Sequence, residues 1–251
     1  MIDVHSHILP GIDDGARTVE ETYQMMEEAY NAGFEAIIST SHYMENVYMA
    51  NKKQKETYIQ MIQSTLKQKQ IELKVYNGTE VYSNDHMLSL IKSGEIATLN
   101  HSRYVLFELP MNQNVIYFDQ IIYELISMDY VPIIAHPERY QYVQKNPNMV
   151  LKWIEQGALL QVNYGSSIGI YGKSAEKTAM KLLKHDMIHF LGSDCHRGES
   201  IYSKIDSIKE KLEKEIGKEK FHKLSYLNPL HIVENKKIEI EEPIKIKGFF
   251  R

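Results

Sequence analysis

The chain has 251 residues, within the range that an α/β barrel fills as one domain. With 43% hydrophobic and 25% charged residues it is composed like an ordinary globular protein, and a net charge of -4 leaves no basic footprint for duplex nucleic acid. No apolar run reaches the roughly 18 residues of a membrane span, the single cysteine, Cys195, excludes an intrachain disulfide, and Met1 leads straight into a strand without a secretory leader; a cytoplasmic protein without direct membrane insertion is expected.

Taken in order, the chain alternates short apolar runs with helical patterns. Strands are expected at 2–4, 36–40, 73–77, 104–109, 131–135, 159–163 and 188–191. Several are continuous apolar runs, the mark of strands buried on both faces of a parallel sheet. Between them, Thr18-Val-Glu-Glu21 reads as a capping box and Gly33 as the stop of the helix that follows. Residues 52–69 carry an apolar stripe on a charged body. Asn84 is placed to cap a helix ending near Gly94, and 118–128 is amphipathic. Pro147 suits a first helical turn closed by Gly157. Further helices are expected from Ser174 to Leu183 and over 204–216. The tail 234–251 alternates charged and apolar residues and is expected to wrap the surface or meet a partner. Repeated βαβ units imply a single domain over 1–251, a barrel of seven strands with irregular closure. An open doubly wound sheet is the alternative, although no Gly-x-Gly-x-x-Gly or Walker pattern marks a nucleotide site.

Chemistry in parallel α/β folds sits at the C-terminal ends of strands. There the sequence puts His5 and His7, two residues apart and so on one strand face, then His42, Glu80, Glu108, His136, Asp194 and His196. The sixth strand ends in Asn163, a hydrogen-bond donor. Each residue alone fits a core ion pair or a carbonyl-bonded histidine. Together, buried carboxylates and imidazoles in one small volume are costly without cations, which points to a multinuclear metal site. Asp13 and Asp14, in the turn-rich loop 10–15, form an Asx-turn or reach back to the rim as a ligand. Arg139 and Arg197 stand beside these residues, and a guanidinium fork matches phosphate as well as it pairs with a rim carboxylate such as Glu138. Cys195 lies between Asp194 and His196, and alternation turns it away from the rim as a small apolar filler. Ile201 stands where a Cys-x5-Arg phosphate loop would need its arginine.

Val4-His-Ser-His7, the His42 strand end, Glu80, His136-Pro-Glu-Arg139 and Ser193-Asp-Cys-His196 together resemble the motifs of the PHP family, named for polymerase and histidinol phosphatase. The longer strings 1–15 and 132–139 resemble its branch of manganese-dependent protein-tyrosine phosphatases from capsule and exopolysaccharide operons of Gram-positive bacteria. The resemblance implies an α/β fold, a distorted (β/α)7 TIM-like barrel (the PHP fold), holding three divalent ions, Mn2+ with Fe or Zn as alternatives. It assigns His5, His7, Glu80 and Asp194 to the first ion, Glu80, Glu108 and His136 to the second, and Asp14, His42 and His196 to the third. Asp194, His196 and Arg139 would serve catalysis, and Arg139 with Arg197 would bind phosphate. The implied substrate is the phosphotyrosyl tail of a bacterial tyrosine kinase; no nucleic acid partner is implied. The chain departs from the branch in Asp194-Cys-His-Arg197, which leaves Arg197 or Lys204 for the second phosphate-binding position. A histidinol-phosphatase-type phosphomonoesterase and a non-catalytic, metal-stabilised kinase-binding scaffold are the competing readings. A nuclease is disfavoured by the acidic charge.

Overall fold

The computed structural model describes residues 1–84, 86–113 and 118–248. Among these the chain runs β1 (Ile2–Ser6), α1 (Val19–Asn31), β2 (Ala36–Ser39), β3 (His42–Tyr43), α2 (Lys52–Gln68), β4 (Lys74–Asn77), β5 (Glu80–Tyr82), α3 (Met87–Lys92), β6 (Tyr104–Glu108), α4 (Phe118–Ser127) and β7 (Val131–Ala135). It continues through α5 (Gln141–Lys145), α6 (Val150–Glu155), β8 (Leu159–Asn163), α7 (Lys173–Lys184), β9 (Phe190–Gly192), α8 (Ile205–Ile216), α9 (Lys218–His222) and α10 (Asn228–Val233).

Every strand pairing is parallel, in the orders β1-β2-β4 and β3-β5-β6-β7-β8-β9. The expected seven-strand barrel follows once two interruptions are recognised. β3 continues β2 after a break at Thr40-Ser41, β5 continues β4 after a break at Gly78-Thr79, and the two broken strands stay neighbours on both sides of the break. The ring closes where the Asp194 N–H donates to His5 O (2.8 Å) and the His7 N–H to Cys195 O (2.9 Å). The barrel is therefore distorted at its second and third strands and irregular at its seam, and the open-sheet alternative falls.

Burial follows strand alternation. Val4, Ile38, Leu106, Ile133, Leu159 and Phe190 pack into the barrel interior, while Ile37, Phe107, Ile134, Leu160 and Leu191 face the helical layer. Leu99, Ile232 and Ile238 join the interior set and plug its floor, so the opposite mouth is left for polar chemistry. The tail does wrap the surface. Tyr104 Oη donates to Lys236 O at 2.6 Å, Ile244 N–H to His185 O at 2.8 Å, and Asn148 exchanges two 2.9 Å bonds with the Ile246 backbone. Residues 249–251 of the expected tail lie outside the described residues.

Several boundaries differ from expectation for local reasons. The capping box at Thr18 is half made: Thr18 Oγ1 accepts the Glu21 N–H, but the Glu21 carboxylate takes the Arg17 N–H instead. A full capping box forms at Asn51 and Gln54. Asn84 accepts the His86 N–H at 2.9 Å, and α3 starts only at Met87. α9 and α10, joined by a π-helical turn over Lys223–Leu227, have no strong periodic pattern in sequence and were not expected.

The strand breaks are held by one lysine. Lys55, on α2 and buried, donates from Nζ to Ser41 O (2.5 Å), Thr79 Oγ1 (3.0 Å) and Gly78 O (3.3 Å), saturating its three protons at the two breaks. Burial lowers its amine to about 7, against the pull of Asp13 and Glu80. Lys55→Met keeps the stem and removes the donors. A buried acceptor left unmade costs about 1–3 kcal/mol, so urea denaturation should find the variant less stable by about 2–4 kcal/mol. An unchanged midpoint would mean the breaks hold themselves.

Candidate metal centre

The parallel strands bring the expected rim residues together at the barrel mouth. β1 delivers His5 and His7, whose Nε2 atoms lie 3.1 Å apart. β3 delivers His42 and β5 Glu80, each directly after one of the breaks described above, and β6 delivers Glu108 at its C-terminal end. His136 follows β7 and Asp194 follows β9. Both have positive φ, 37° and 52°. This left-handed turn is unfavourable for a residue with a Cβ, and is held where surrounding structure over-determines it. Here it swings each side chain into the mouth immediately after its strand.

Glu80 is the point of contact for the rest. Its Oε2 lies 3.0 Å from His5 Nε2, 3.2 Å from His7 Nε2 and 3.2 Å from His42 Nδ1, and its Oε1 lies 3.0 Å from His136 Nε2. Three overlapping donor sets result, each with its ligand atoms within 4.8 Å of one another: His5, His7, Glu80 and Asp194; His42, Glu80 and Glu108; and His7, Asp14, His42 and His196. His136 approaches Glu108 at 3.8 Å as well as Glu80. Asp14 is half exposed and sits at the open side, 3.4 Å from His196 Nε2 and 3.7 Å from His42 Nε2.

The histidines are oriented from behind. Gln161 Nε2 donates to Asn163 Oδ1, so the Gln161 oxygen is the atom that faces His5 Nδ1 at 2.8 Å, and that nitrogen carries the proton. Asp13 Oδ2 accepts from His7 Nδ1 at 2.9 Å and from the His42 N–H at 2.8 Å, and its Oδ1 closes an Asx-turn on the Gly15 N–H. Both rings thus turn an Nε2 into the cluster, the arrangement that second-layer carboxylates and amides impose on metal-binding histidines. Sequence reasoning had Asp13 as a turn or a rim ligand; its role behind His7, and Gln161 behind His5, were not legible. A side chain at Gly15 would put a Cβ 2.1 Å from His7 O, so the loop carrying Asp13 can close only on glycine.

Asp194 divides its two oxygens. Oδ1 lies 3.5 Å from His5, His7 and His196. Oδ2 accepts from Asn163 Nδ2 (2.7 Å), Arg139 Nη1 (2.8 Å) and Tyr171 Oη (3.3 Å). Asn163 is the donor expected of the sixth strand. Arg139 pairs with Asp194, whereas Glu138 is turned inward to bond Asn163 N–H and Ser166 Oγ, and burial pushes its carboxyl up to about 7. Arg197 directs Nη1 to the carbonyls of Gly15 and His196, tying the β1 loop to the segment after β9. Lys204 is exposed at the end of a 3-10 turn. Cys195 packs with the outer apolar layer, where burial pushes its thiol up to about 12.

The electrostatics are those of a cluster that needs positive charge. Burial alone would lower His5, yet Glu80 and Asp194 raise it to about 9. His7 is likewise held well above the usual histidine value by Asp13, Asp194 and Glu80, against its burial. Burial and the charges of Glu80 and Asp194 push Glu108 up to about 8. Protons are drawn in where cations would otherwise compensate the carboxylates. The buried Nδ1 atoms of His42 and His136 make no hydrogen bond among the described residues, although Glu80 lies beside His42 Nδ1. Converging nitrogen lone pairs and carboxylate oxygens fit divalent transition ions and do not select among them.

The family model for capsular polysaccharide synthesis, CpsB/CapC, matches residues 1–234. The chain is 33% identical over 196 residues to the putative tyrosine-protein phosphatase CapC of Staphylococcus aureus, covering 78% of this chain and 77% of that one. It is 31% identical over 255 residues to the tyrosine-protein phosphatase YwqE of Bacillus subtilis, with 100% of both chains covered. One solved chain, described among the crystal structures of YwqE from Bacillus subtilis and CpsB from Streptococcus pneumoniae as unique metal-dependent tyrosine phosphatases, superposes with a TM-score of 0.93 at 31% identity, over 99% of this chain and 100% of that one.

Asp13→Ala removes the acceptor behind His7 without touching the cluster itself. Loss of such an orienting group weakens metal binding by about 10–100-fold. Titration of the metal-stripped variant with Mn2+ should show that loss while circular dichroism stays native. Wild-type affinity would leave Asp13 with a turn role only.

Proposed function

The chain belongs to the CpsB/CapC family of capsular polysaccharide synthesis, and from that premise we propose that it is a metal-dependent protein-tyrosine phosphatase. The observation that carries this reading is the set of three overlapping donor groups, two of them sharing Glu80, with an arginine at their edge. His5, His7, Glu80 and Asp194 would hold one ion, Glu80, Glu108 and His136 a second, and Asp14, His42 and His196 a third. Manganese is the metal we favour. When bound, such ions supply Lewis-acid charge to a phosphoryl group and to water.

The protein's own residues supply the rest. Arg139 stands at the mouth with one guanidinium edge on Asp194; its remaining N–H groups are suited to phosphoryl oxygens as charge develops on them. Asp194 and His196 bridge the metal donors and the substrate side. Asp13 and Gln161 keep the His7 and His5 rings aimed. A phenolate leaves readily enough that a strong general acid is not required. Cys195, the chain's single cysteine, is buried with its thiol protonated, so a thiolate nucleophile has no candidate. The substrate we propose is the phosphotyrosyl tail of a bacterial tyrosine kinase controlling capsule or exopolysaccharide export, met in the cytoplasm. Among the described residues no helix is long and apolar enough to cross a membrane.

The test sets metal hydrolysis against the alternatives on one phosphotyrosyl peptide. Chelation should abolish turnover reversibly, with Mn2+ restoring it, and Cys195→Ser should keep most activity. Histidinol phosphate should be a much poorer substrate. Activity that survives thorough metal removal but not Cys195→Ser would overturn the mechanism. Preference for histidinol phosphate would move the protein to a small-molecule phosphatase, and an inert metal-replete protein would make it a scaffold.

A further inference from the structure

The loop between β8 and α7 contributes a residue that the mechanism above leaves unused. Tyr171 lies between Gly169 and Gly172, both at positive φ (77° and 89°), so the chain bends sharply on each side of it. Its ring lies under the Arg139 guanidinium, 4.5 Å from centroid to Cζ, and its hydroxyl reaches Asp194 Oδ2 at 3.3 Å. Among the described residues, the only hydrogen bond from the Arg139 side chain is Nη1 to Asp194. The guanidinium is thus fixed on one face by the ring and on one edge by the carboxylate. That leaves Nε, Nη2 and the second Nη1–H without a hydrogen-bond partner among the described residues, as donors for a ligand at the mouth.

We infer that Tyr171 is a positioning residue for phosphate-ester recognition: its ring is the platform that holds Arg139 in the plane in which the fork can meet a phosphoryl group. This rests on the reading of Arg139 as the phosphate-binding arginine. An arginine on a flexible stem loses rotamer freedom when it binds a ligand, and the stack removes part of that loss beforehand. The hydroxyl adds a third donor to Asp194 Oδ2, beside Asn163 Nδ2 and Arg139 Nη1. The two parts of one side chain therefore have separable effects. The ring acts on phosphate affinity, whereas the hydroxyl is the longest of three contacts to Asp194 Oδ2, which Asn163 and Arg139 still hold without it.

Two variants separate them. Tyr171→Leu removes the platform. We expect KM for a phosphotyrosyl peptide to rise, and calorimetric affinity for inorganic phosphate to fall, each on the order of tenfold. Metals per chain, by elemental analysis, should be unchanged. Tyr171→Phe keeps the ring, and KM and phosphate affinity should stay within about twofold of wild type. In an Arg139→Ala background, Tyr171→Leu should cost little more, because the two act as one unit. A loss in Tyr171→Leu that persists undiminished in Arg139→Ala, or that comes with lost metal, would overturn the positioning role. Wild-type phosphate affinity in Tyr171→Leu, with Arg139→Ala impaired, would overturn the inference alone. Wild-type affinity in both would remove the phosphate-binding reading of Arg139 as well.

Discussion

A carboxylate without access to water, in contact with four imidazoles, governs this structure. Glu80 meets His5, His7, His42 and His136 at 3.0–3.2 Å, each from a different side. Isolated, a buried carboxylate would take up a proton. Burial does push Glu80 that way, but His5 and His42 hold it well below the usual carboxylate range. The neighbouring Glu108, buried beside the charges of Glu80 and Asp194, is harder to ionise and rises to about 8. The field that draws protons onto His5 and His7 is the field that would hold divalent cations.

The barrel serves that constraint. Its floor is closed by apolar residues, its mouth is polar, and parallel strands point their C-terminal ends at one small volume. The breaks at Thr40-Ser41 and Gly78-Thr79 immediately precede His42 and Glu80, the first residues of the resumed strands β3 and β5. Broken strands leave carbonyls unpaired, and Lys55 satisfies them from the helical layer. A lysine amine in the core is unusual. Here three acceptors and the nearby Asp13 and Glu80 charges account for it. Stability and function are therefore joined at the same two breaks.

The sequence made the barrel and the residues at its mouth readable, because both rest on short-range pattern: apolar runs locate strands, and His-x-His, Glu80 or His136 at their ends locate the mouth. What it withheld depends on contacts across the fold. Asp13 reads as a turn residue, and only the closed loop shows it behind His7. Gln161 sits inside an apolar strand, where alternation gives an interior position but no partner. Tyr171 carried one faint signal, the glycines at 169 and 172 on either side, which mark a bend without saying what it presents. The resumption of the second and third strands as β3 and β5 was missed because Ser41, Gly78 and Thr79 read as the ends of the runs at 36–40 and 73–77. α9 and α10 are too short for periodicity to reveal.

Metal content of a Glu80→Ala variant tests the central claim most directly. If Glu80 is shared between donor sets as its contacts imply, elemental analysis of the purified variant, folded by circular dichroism, should show more than one ion per chain missing relative to wild type. A variant that retains the full wild-type complement would contradict the shared role and, with it, the account of the mouth as one coupled centre.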